Sequence, residues 1–508
     1  MNAAVGAPHR GMITVAIMLA TIMQALDTTI ANVALPHMQG SLQSSQDQIS
    51  WVLTSYIVAA AIATLLTGWL CARFGRRRVL LASVAGFTVA SALCGLADSL
   101  WQIVAARLLQ GVFGAALVPL SQAVLLDINS KEKVGQAMAI WGAGIMVGPI
   151  LGPLLGGWLT DNASWRWVFY INLPVGVLAF YGIARYLPES RAGNDKLDRF
   201  GLATLCVAIG ALQLFLDRGE QLDWFSSAEI CLEAIVCAAA FVYFIIHTWS
   251  APEGQSFLSR GLLRDRNFVT GSLFIFVVGM ILYATMALLP SLLQSLLDYP
   301  VVFTGEVMAP RGVGTMLAMM LVGRLVHKAD PRLIMAGGFL LTALSLYQMA
   351  GIAPNMGSGI IVLSGFIQGA GLGFTFVPLS MVTFATLEPQ LRNEGTPIYS
   401  LLRNVGSSVG ISLVQTMLTE DAARAHAVLG EHVALGSPLL RELPAALSPF
   451  TDAGRALLNL EVTRQAEMVA YIDDFTVMMW LSLAVLPLLL LIRRPAPSAP
   501  AAGADSAH

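Results

Sequence analysis

The sequence carries little charge for its length. Of its 508 residues only 12% are Asp, Glu, Lys or Arg, whereas 56% are hydrophobic. A water-soluble protein of this size needs about a quarter of its residues charged to cover its surface. The charges that are present lie in clusters between long apolar runs. Most of the surface must therefore face lipid, and the net charge of −2 says little about binding partners.

Several chemical signatures are also missing. The five cysteines (Cys71, Cys94, Cys206, Cys231 and Cys237) have neither the paired spacing of a metal site nor that of a disulfide framework. The sequence has no catalytic triad and no phosphate-binding loop of the form G-x-x-x-x-G-K-[ST]. These absences count against a membrane enzyme, a receptor with catalytic activity and an ATP-driven pump. We expect no metal, no cofactor and no nucleic-acid partner.

Long apolar runs predict transmembrane helices, each needing about 20 residues to cross the hydrocarbon layer. The stretch from Gly11 onward is too long for a cleavable signal peptide, so we take it as the first span. The fold class is therefore an all-α integral membrane protein with about fourteen spans. Their approximate bounds are 12–34, 50–71, 79–97, 101–126, 136–159, 167–187, 200–216, 228–248, 268–290, 303–325, 333–352, 357–385, 396–418 and 473–493.

The distribution of Lys and Arg sets the orientation, because cytoplasmic loops retain positive charge. Most basic residues collect on one set of loops, from Arg73 in the first of them to Arg494 near the end of the chain. We therefore predict that both termini are cytoplasmic. On the opposite side, residues 419–472 form one long segment, either a solvated cap or a docking surface for a partner outside the membrane. The tail 495–508, rich in Ala, Pro and Ser, is predicted to be disordered.

The sequence repeats itself at an offset of about 255–262 residues. The run from Gly68 to Arg78 recurs at 323–332, Gln110-Gly111 recurs as Gln368-Gly369, and Gly144-xxx-Gly148 recurs as Gly406-xxx-Gly410. This offset leaves room for two extra helices between two six-helix halves. We predict an N-terminal half at 1–190, inserted helices 7 and 8 at 191–255, and a C-terminal half at 256–494. Two related halves favour an alternating-access transporter.

Five motifs resemble the major facilitator superfamily, and more narrowly its fourteen-span drug:proton antiporters of the EmrB/QacA type. They are Leu26-Asp-Thr-Thr-Ile-Ala-Asn-Val-Ala-Leu-Pro36, Gly68 to Arg78, Arg107-Leu-Leu-Gln-Gly111, Gly144-xxx-Gly148-Pro149-xx-Gly152-Pro153-xx-Gly156-Gly157, and the loop from Leu216 to Ser226. The resemblance covers nearly the whole chain. It implies gating and antiporter roles for Gly68, Arg73, Gly75, Arg76, Gly144, Gly148, Pro149, Gly152, Gly156 and Gly157. The basic residues among them are also typical topology determinants beside anionic lipid.

One position departs from the family pattern. The loop motif normally has an acid where this chain has Ala72. In the family that acid helps to lock the outward-facing state. The resemblance therefore implies a gating latch that is weaker here, or built from other residues.

Two charged residues inside apolar spans are the proton-coupling candidates. A bare carboxylate such as that of Asp27 is costly inside a span, so it is neutralised or paired with a cation. Arg107 is an obvious cation for it, and its motif is linked to proton transfer in the family. The alternatives are a structural carboxyl bonded to Thr28, Thr29 or a neighbouring helix, and an arginine that only packs helices. A proton carrier must also border a pocket that opens to alternate sides.

Three further residues are candidates for a substrate cavity: Gln110, Arg311 and Arg403. Helix-packing contacts are the alternative for both arginines. If these arginines face the cavity, it is positively charged and favours neutral or weakly acidic hydrophobic compounds over quaternary ammonium cations.

The first functional hypothesis is a proton-driven multidrug exporter of small hydrophobic compounds in a bacterial inner membrane. The resemblance implies that such an exporter works with a periplasmic adaptor (a membrane fusion protein) and an outer-membrane channel. The alternatives are an exporter of a specific fatty acid, lipid or siderophore, and a nutrient symporter. The glycine and proline motif of span 5 argues against symport by resemblance only.

Overall fold

The computed structural model is helical along its described length, which comprises residues 9–130, 133–189, 198–252, 256–326, 328–353, 356–388, 391–431 and 451–493. No strand occurs in these ranges. The α-helices are α1 (Arg10–Ser41), α2 (Gln46–Phe74), α3 (Arg76–Leu96), α4 (Leu100–Gly114), α5 (Leu117–Ile128), α6 (Val134–Ile145), α7 (Val147–Asn162), α8 (Trp167–Tyr170), α9 (Asn172–Tyr186), α10 (Arg199–Arg218), α11 (Ala228–Ser250), α12 (Arg260–Arg264), α13 (Arg266–Ser291), α14 (Val301–Leu325), α15 (Pro331–Ala350), α16 (Gly359–Ala385), α17 (Arg392–Glu431) and α18 (Asp452–Ala484).

Polar residues in the loops begin several of these helices. Ser45 and Gln48 form a reciprocal capping box at the start of α2. The carboxylates of Asp198, Asp265 and Asp330 accept hydrogen bonds from backbone amides in the first turns of α10, α13 and α15. Each cap satisfies amide groups that the apolar helix itself leaves unpaired.

The predicted membrane spans are confirmed by the helices of the structure. Within the described residues, eleven helical stretches are long and apolar enough to cross a bilayer. The other three predicted spans correspond to α6 with α7, to α14, and to the first part of α17. The helices α6 and α7 are each too short to cross a bilayer alone, with 12 and 16 residues, whereas α14 and α17 carry the intramembrane arginines Arg311 and Arg403.

Span 5 differs from its predicted single helix. The chain forms α6 and α7 with a break at Met146, three residues before Pro149. Proline has no amide hydrogen to donate to the preceding turn, so a helix that contains it is interrupted or bent. The antiporter motif thus lies on a broken helix.

The helices pack as two groups joined at two places. In the N-terminal group α1 packs on α5, α7 and α9, and in the C-terminal group α13 packs on α16, α17 and α18. The groups meet where α2 and α5 contact α17, and where α14 and α16 contact α6 and α14 also contacts α7. Helix α10 packs on α2 and α17, so the predicted insertion lies against both groups. The residue boundaries predicted for these groups stay predictions.

In the predicted outward segment 419–472, residues 432–450 lie outside the described residues, and the described remainder belongs to two extended helices. Helices α17 and α18 have 40 and 33 residues, so they reach about 60 Å and 50 Å. Since the hydrocarbon core is about 30 Å thick, both helices extend beyond it. They pack on each other, and His426 contacts Asn459 at 3.2 Å. The predicted tail 495–508 lies outside the described residues.

Candidate functional site

The carboxylate of Asp27 is held by three side chains from three other positions in the N-terminal group. Nη1 of Arg107 donates to Oδ2 at 2.7 Å, while Nε2 of Gln110 and Nδ2 of Asn172 each donate to Oδ1 at 2.8 Å. Asp27 comes from α1, Arg107 and Gln110 from α4, and Asn172 from the start of α9. The hydroxyls of Thr28 and Thr29 donate to backbone carbonyls instead.

Arg107 is equally well enclosed. Its Nε donates to the Val52 carbonyl at 3.1 Å, and its Nη1 also donates to Oε1 of Gln110 at 2.8 Å. The ring of Tyr56 covers the guanidinium at 4.3 Å, a cation–π contact. Asp27 and Arg107 are 0% and 1% exposed. Each charge therefore has a counter-charge and further hydrogen bonds, and neither is left as an unpaired buried charge.

In this conformation Asp27 lies away from two cavities that the described residues form. One cavity lies among α13, α14, α15 and α16, and the other is an apolar groove between α3 and α9; Asp27 lines neither. A proton can reach the carboxylate only if the cluster opens. The assignment of Asp27 and Arg107 to proton coupling therefore stays a prediction that needs a second conformation.

The glycines of span 5 form a stripe that faces α1 on both sides of Asp27. Gly148 lies against the backbone of Ala25, and Gly152 lies against Thr29, whose hydroxyl donates to the Gly148 carbonyl at 3.0 Å. The stripe continues with Gly144 and Gly156, and Gly157, the next residue along the chain, is also buried. Pro149 lies in the first turn of α7. Only residues without a side chain allow α1 and α7 to approach this closely.

The predicted gating motif lies at the junction of α2 and α3. Gly68 is buried on α2, Gly75 has φ 85° between the two helices, and Arg73 is exposed. A φ in this left-handed region favours glycine. Nη1 of Arg76 binds Oδ2 of Asp127 at 2.6 Å, at the end of α5.

Asp127 also contacts the other group of helices. Its Oδ1 accepts a hydrogen bond from Nη1 of Arg392, the first residue of α17, at 3.3 Å. One carboxylate thereby joins the two groups on the predicted cytoplasmic side. This contact is independent of the missing acid at Ala72.

The three residues predicted to line a substrate cavity lie in different places in the structure. Arg311 lines the cavity of the C-terminal group, together with Gln368 and mostly apolar side chains. Gln110 lies in the Asp27 cluster instead. Arg403 is half-buried on α17 and lines neither of the two cavities.

Two buried polar residues were not singled out from the sequence, one in the Asp27 cluster and one outside the sites described above. Asn172 looks like an ordinary polar residue at a helix start, and only the packing of α9 on α1 reveals its contact with Asp27. Asp474 is fully buried on α18, and neither of its carboxylate oxygens has a hydrogen-bond partner among the described residues. Its place inside the predicted span 473–493 is the signal that identifies it as unusual.

Comparisons with known proteins give one consistent result. The sequence profile of the family described as Major Facilitator Superfamily matches residues 17–411. "Multidrug export protein EmrB" of Escherichia coli (strain K12) is 35% identical over 485 residues, which cover 94% of each chain. "Fatty acid resistance protein FarB" of Neisseria gonorrhoeae is 34% identical over 488 residues, 95% of this chain and 96% of that protein.

Solved structures share the fold at low sequence identity. The human organic anion transporter MFSD10 (TETRAN) has a TM-score of 0.62 and 16% identity, over 95% of this chain and 100% of that one. The proton:xylose symporter XylE has a TM-score of 0.60 and 13% identity, over 94% of this chain and 96% of that one. At these identities the likeness concerns the fold alone.

Proposed function

Because the chain belongs to the major facilitator superfamily, a family of secondary membrane transporters, we propose that it exports several small hydrophobic compounds in exchange for protons. The relative named for multidrug export matches almost the entire chain, which supports efflux of more than one compound. The two packed groups of helices suit alternating access. They meet where α2 contacts α17 and where α14 contacts α6 and α7. Such a transporter needs no cofactor, because the proton gradient drives it.

The ion pair between Asp27 and Arg107 is the observation that carries the coupling proposal. In this conformation Arg107 neutralises the carboxylate 2.7 Å away. If the rearrangement of α1 against α7 separates the pair, the carboxylate remains in a low-dielectric interior without a cation. Such a charge is costly, so the group takes up a proton. Restoring the pair releases that proton, which links the charge state of Asp27 to the conformation.

The experiment is a substrate panel in proteoliposomes with an imposed pH gradient. The panel contains chemically unrelated hydrophobic compounds, both neutral and weakly acidic, together with a fatty acid. We expect gradient-dependent transport of several unrelated members. Transport that is the same with and without the gradient would contradict the proposal.

A second candidate is an exporter dedicated to a fatty acid, a lipid or a siderophore. The relative named for fatty acid resistance favours it, at an identity close to that of the multidrug relative. The same panel separates the two candidates. Transport of one class only would favour the dedicated exporter.

The proposed location is a bacterial inner membrane with both termini in the cytoplasm. The clustering of basic residues on one set of loops supports this orientation. With that orientation, the ends of α17 and α18 project into the periplasm, where an adaptor linked to an outer-membrane channel would bind. Several hydrophobic residues are exposed beyond the predicted spans, namely Val428 on α17 and Leu457 and Leu460 on α18, which suits a protein contact.

A paired substitution tests the docking surface. Leu460→Glu is expected to abolish co-purification with the adaptor of the same host. The matched control is Leu333→Glu, a leucine 72% exposed at the predicted cytoplasmic end of α15. Undiminished adaptor binding by Leu460→Glu, and by a chain lacking residues 419–472, would remove this surface from the proposal.

A further inference from the structure

One buried carboxyl group in the C-terminal group of helices has no partner among the described residues. Asp474 on α18 is 0% exposed, and neither of its oxygens accepts a hydrogen bond. Asp27 is buried to the same extent, but three side chains donate to it and one of them is a cation. Asp473, the residue before Asp474, is exposed. Burial without a partner therefore distinguishes Asp474 from both of these carboxylates.

The charges that act on Asp474 are negative. Asp473 on the same helix and Asp421 on α17 both oppose a negative charge at Asp474. Arg424 is bound to Asp421 at 2.7 Å, so its charge already has a partner. The nearest basic residue of α18 is Arg464, ten residues earlier and about 15 Å away along the helix. The surroundings of Asp474 thus disfavour its ionised form.

Helices α13 and α15 also pack on α18 and bring no counter-charge to this level. Each has one charged residue, Arg266 or Arg332, within its first two positions. These helices begin beside the far end of the last span, because Asn267 donates to the Arg493 carbonyl and Arg332 to the Ile492 carbonyl. The remaining titratable side chains of α13, of α15 and of the turns of α18 before Asp474 are three tyrosines and one glutamate: Tyr283, Tyr347, Tyr471 and Glu467.

A carboxyl group in this setting is neutral. Its ionised form is strongly disfavoured in an interior that offers neither a cation nor hydrogen-bond donors, and neighbouring negative charges disfavour it further. Protonation removes the charge and supplies an O–H donor. A carbonyl of the preceding turn is available to such a donor, as it is to the hydroxyl of Thr476 on the same helix.

We propose that Asp474 is a second proton-binding site, protonated in the conformation in which Asp27 is ionised, and that it exchanges its proton with the outward side. Asp474 is the second residue of the predicted span 473–493, next to the outward segment. Ionisation requires water or a cation at the carboxyl, so it requires a neighbouring helix to move away from α18. The released proton passes to water, and the carboxylate takes up another before the packing closes again.

Helix α17 connects this site with the rest of the molecule. It packs on α18 and also contacts α2 and α5 of the N-terminal group. The present packing of α17 on α18 needs the neutral form of Asp474, so acid on the outward side stabilises this conformation. The inference rests on the proposed export function only for the use of this conformation in transport.

Infrared absorption of the purified full chain in detergent at about pH 7, where an exposed aspartate is ionised, tests the occupancy of the site. A protonated carboxyl and a carboxylate absorb in different regions. We expect the wild type to show a protonated-carboxyl band that Asp474→Asn lacks. The matched control Asp473→Asn removes the exposed neighbour and is expected to keep the band. Asp474→Glu is expected to shift the band, which keeps the test decisive if Asp474→Asn does not fold.

Export at different outward pH values tests the use of the site. The gradient is held constant in proteoliposomes while the pH on both sides is raised together. Asp474→Asn keeps the neutral form at every pH, so its rate should equal that of the wild type at an outward pH of about 6. At about pH 9 we expect the wild type to be at least roughly threefold slower than Asp474→Asn, because a buried carboxyl ionises over this range. Asp473→Asn should follow the wild type.

Two results would overturn the proposal: an infrared spectrum that Asp474→Asn leaves unchanged, or rates of the wild type and Asp474→Asn that stay equal as the outward pH rises. Failure of the export function is a different outcome. If no compound were exported in response to the gradient while Asp474→Asn lost the band, the export function would fail and the proton site would remain. If several compounds were exported while the band was unchanged, only the proton site would fail.

Discussion

The backbone of Gly148 lies directly against the backbone of Ala25, two residues before Asp27. This contact joins the antiporter motif of span 5 to the helix that carries the buried carboxylate. Asp27 binds Arg107 on α4 at 2.7 Å, so α1 is in contact with both the glycine stripe and the cation of the cluster. The glycine stripe thus connects a sliding surface with the charged cluster.

A methyl group at Gly148 tests this close packing. The Cβ of Gly148→Ala would overlap the Ala25 backbone and approach the Ala25 Cβ at 2.9 Å. We expect a loss of about 1–3 kcal/mol in unfolding free energy from overpacking, together with slower export. Thermal unfolding in detergent and transport in proteoliposomes measure the two effects. The control is Gly337→Ala on α15, where a Cβ meets nothing within 4 Å; equal effects of both substitutions would contradict the account.

Removing one partner of the ion pair should cost more than removing both. Arg107→Ala leaves a buried carboxylate without its cation, which costs about 3–5 kcal/mol, whereas Asp27→Asn with Arg107→Gln leaves two neutral hydrogen-bonding groups. We therefore expect the double variant to unfold at a higher temperature than Arg107→Ala. Fluorescence-detected unfolding of the purified chains measures this order. The opposite order would show that the pair is not desolvated.

The contact of Asp127 with Arg76 and Arg392 should favour a conformation closed on the cytoplasmic side. Asp127→Asn removes the charge, and we expect the cytoplasmic-open population to rise by roughly three- to tenfold, since half-exposed pairs contribute about 1 kcal/mol. Distances between spin labels at positions 78 and 324, in a background without native cysteines, measure the populations. The control Glu189→Gln removes a pair with Arg77 that lies within the N-terminal group; it should leave the distances unchanged.

Asp198 caps the N-terminus of α10, and the stability that this cap contributes depends on pH. Burial of Asp198 raises its pKa, but hydrogen bonds from the Gly201 and Phe257 amides and from His247, at 2.9 Å, 3.0 Å and 2.9 Å, outweigh burial, so the pKa lies below its usual value. A lowered pKa contributes stability above the ordinary value of about 3.9, and the contribution is lost as the pH falls through the folded-state value.

We therefore expect Asp198→Asn to lower the unfolding temperature at pH 7. The difference from the wild type should begin to shrink as the pH falls below about 4 and should vanish below the lowered folded-state pKa, where the wild-type carboxyl is neutral as well. Unfolding scans of both chains across this range provide the measurement. A difference that persists undiminished at low pH would show that the charge is irrelevant to the cap.

The sequence was sufficient to locate the spans and the charged pair, because charges inside apolar runs are rare. Asp27 and Arg107 were recognisable on that ground, and they form a hydrogen-bonded ion pair at 2.7 Å. The break at Met146 was not predicted, because proline tolerance in a span depends on neighbouring helices.

The partners of these charges needed the packed structure. Gln110 was expected in a substrate cavity and lies in the Asp27 cluster, while Asn172 reaches Asp27 from 145 residues away. The lack of a counter-charge at Asp474 among the described residues is likewise invisible in the sequence, since several basic residues elsewhere in the chain were equally available as partners. Which charged side chains pair depends on how the helices pack, whereas the membrane spans can be located from the hydropathy of the sequence alone.

Gradient-driven export by Asp27→Asn, compared with the wild type in proteoliposomes, tests the coupling between proton and conformation most directly. The amide keeps the size of the side chain and two of its hydrogen-bonding positions, but it cannot bind and release a proton. We predict that the variant inserts and folds yet no longer exports substrate in response to the pH gradient. Coupled export at the wild-type rate would contradict the role of Asp27.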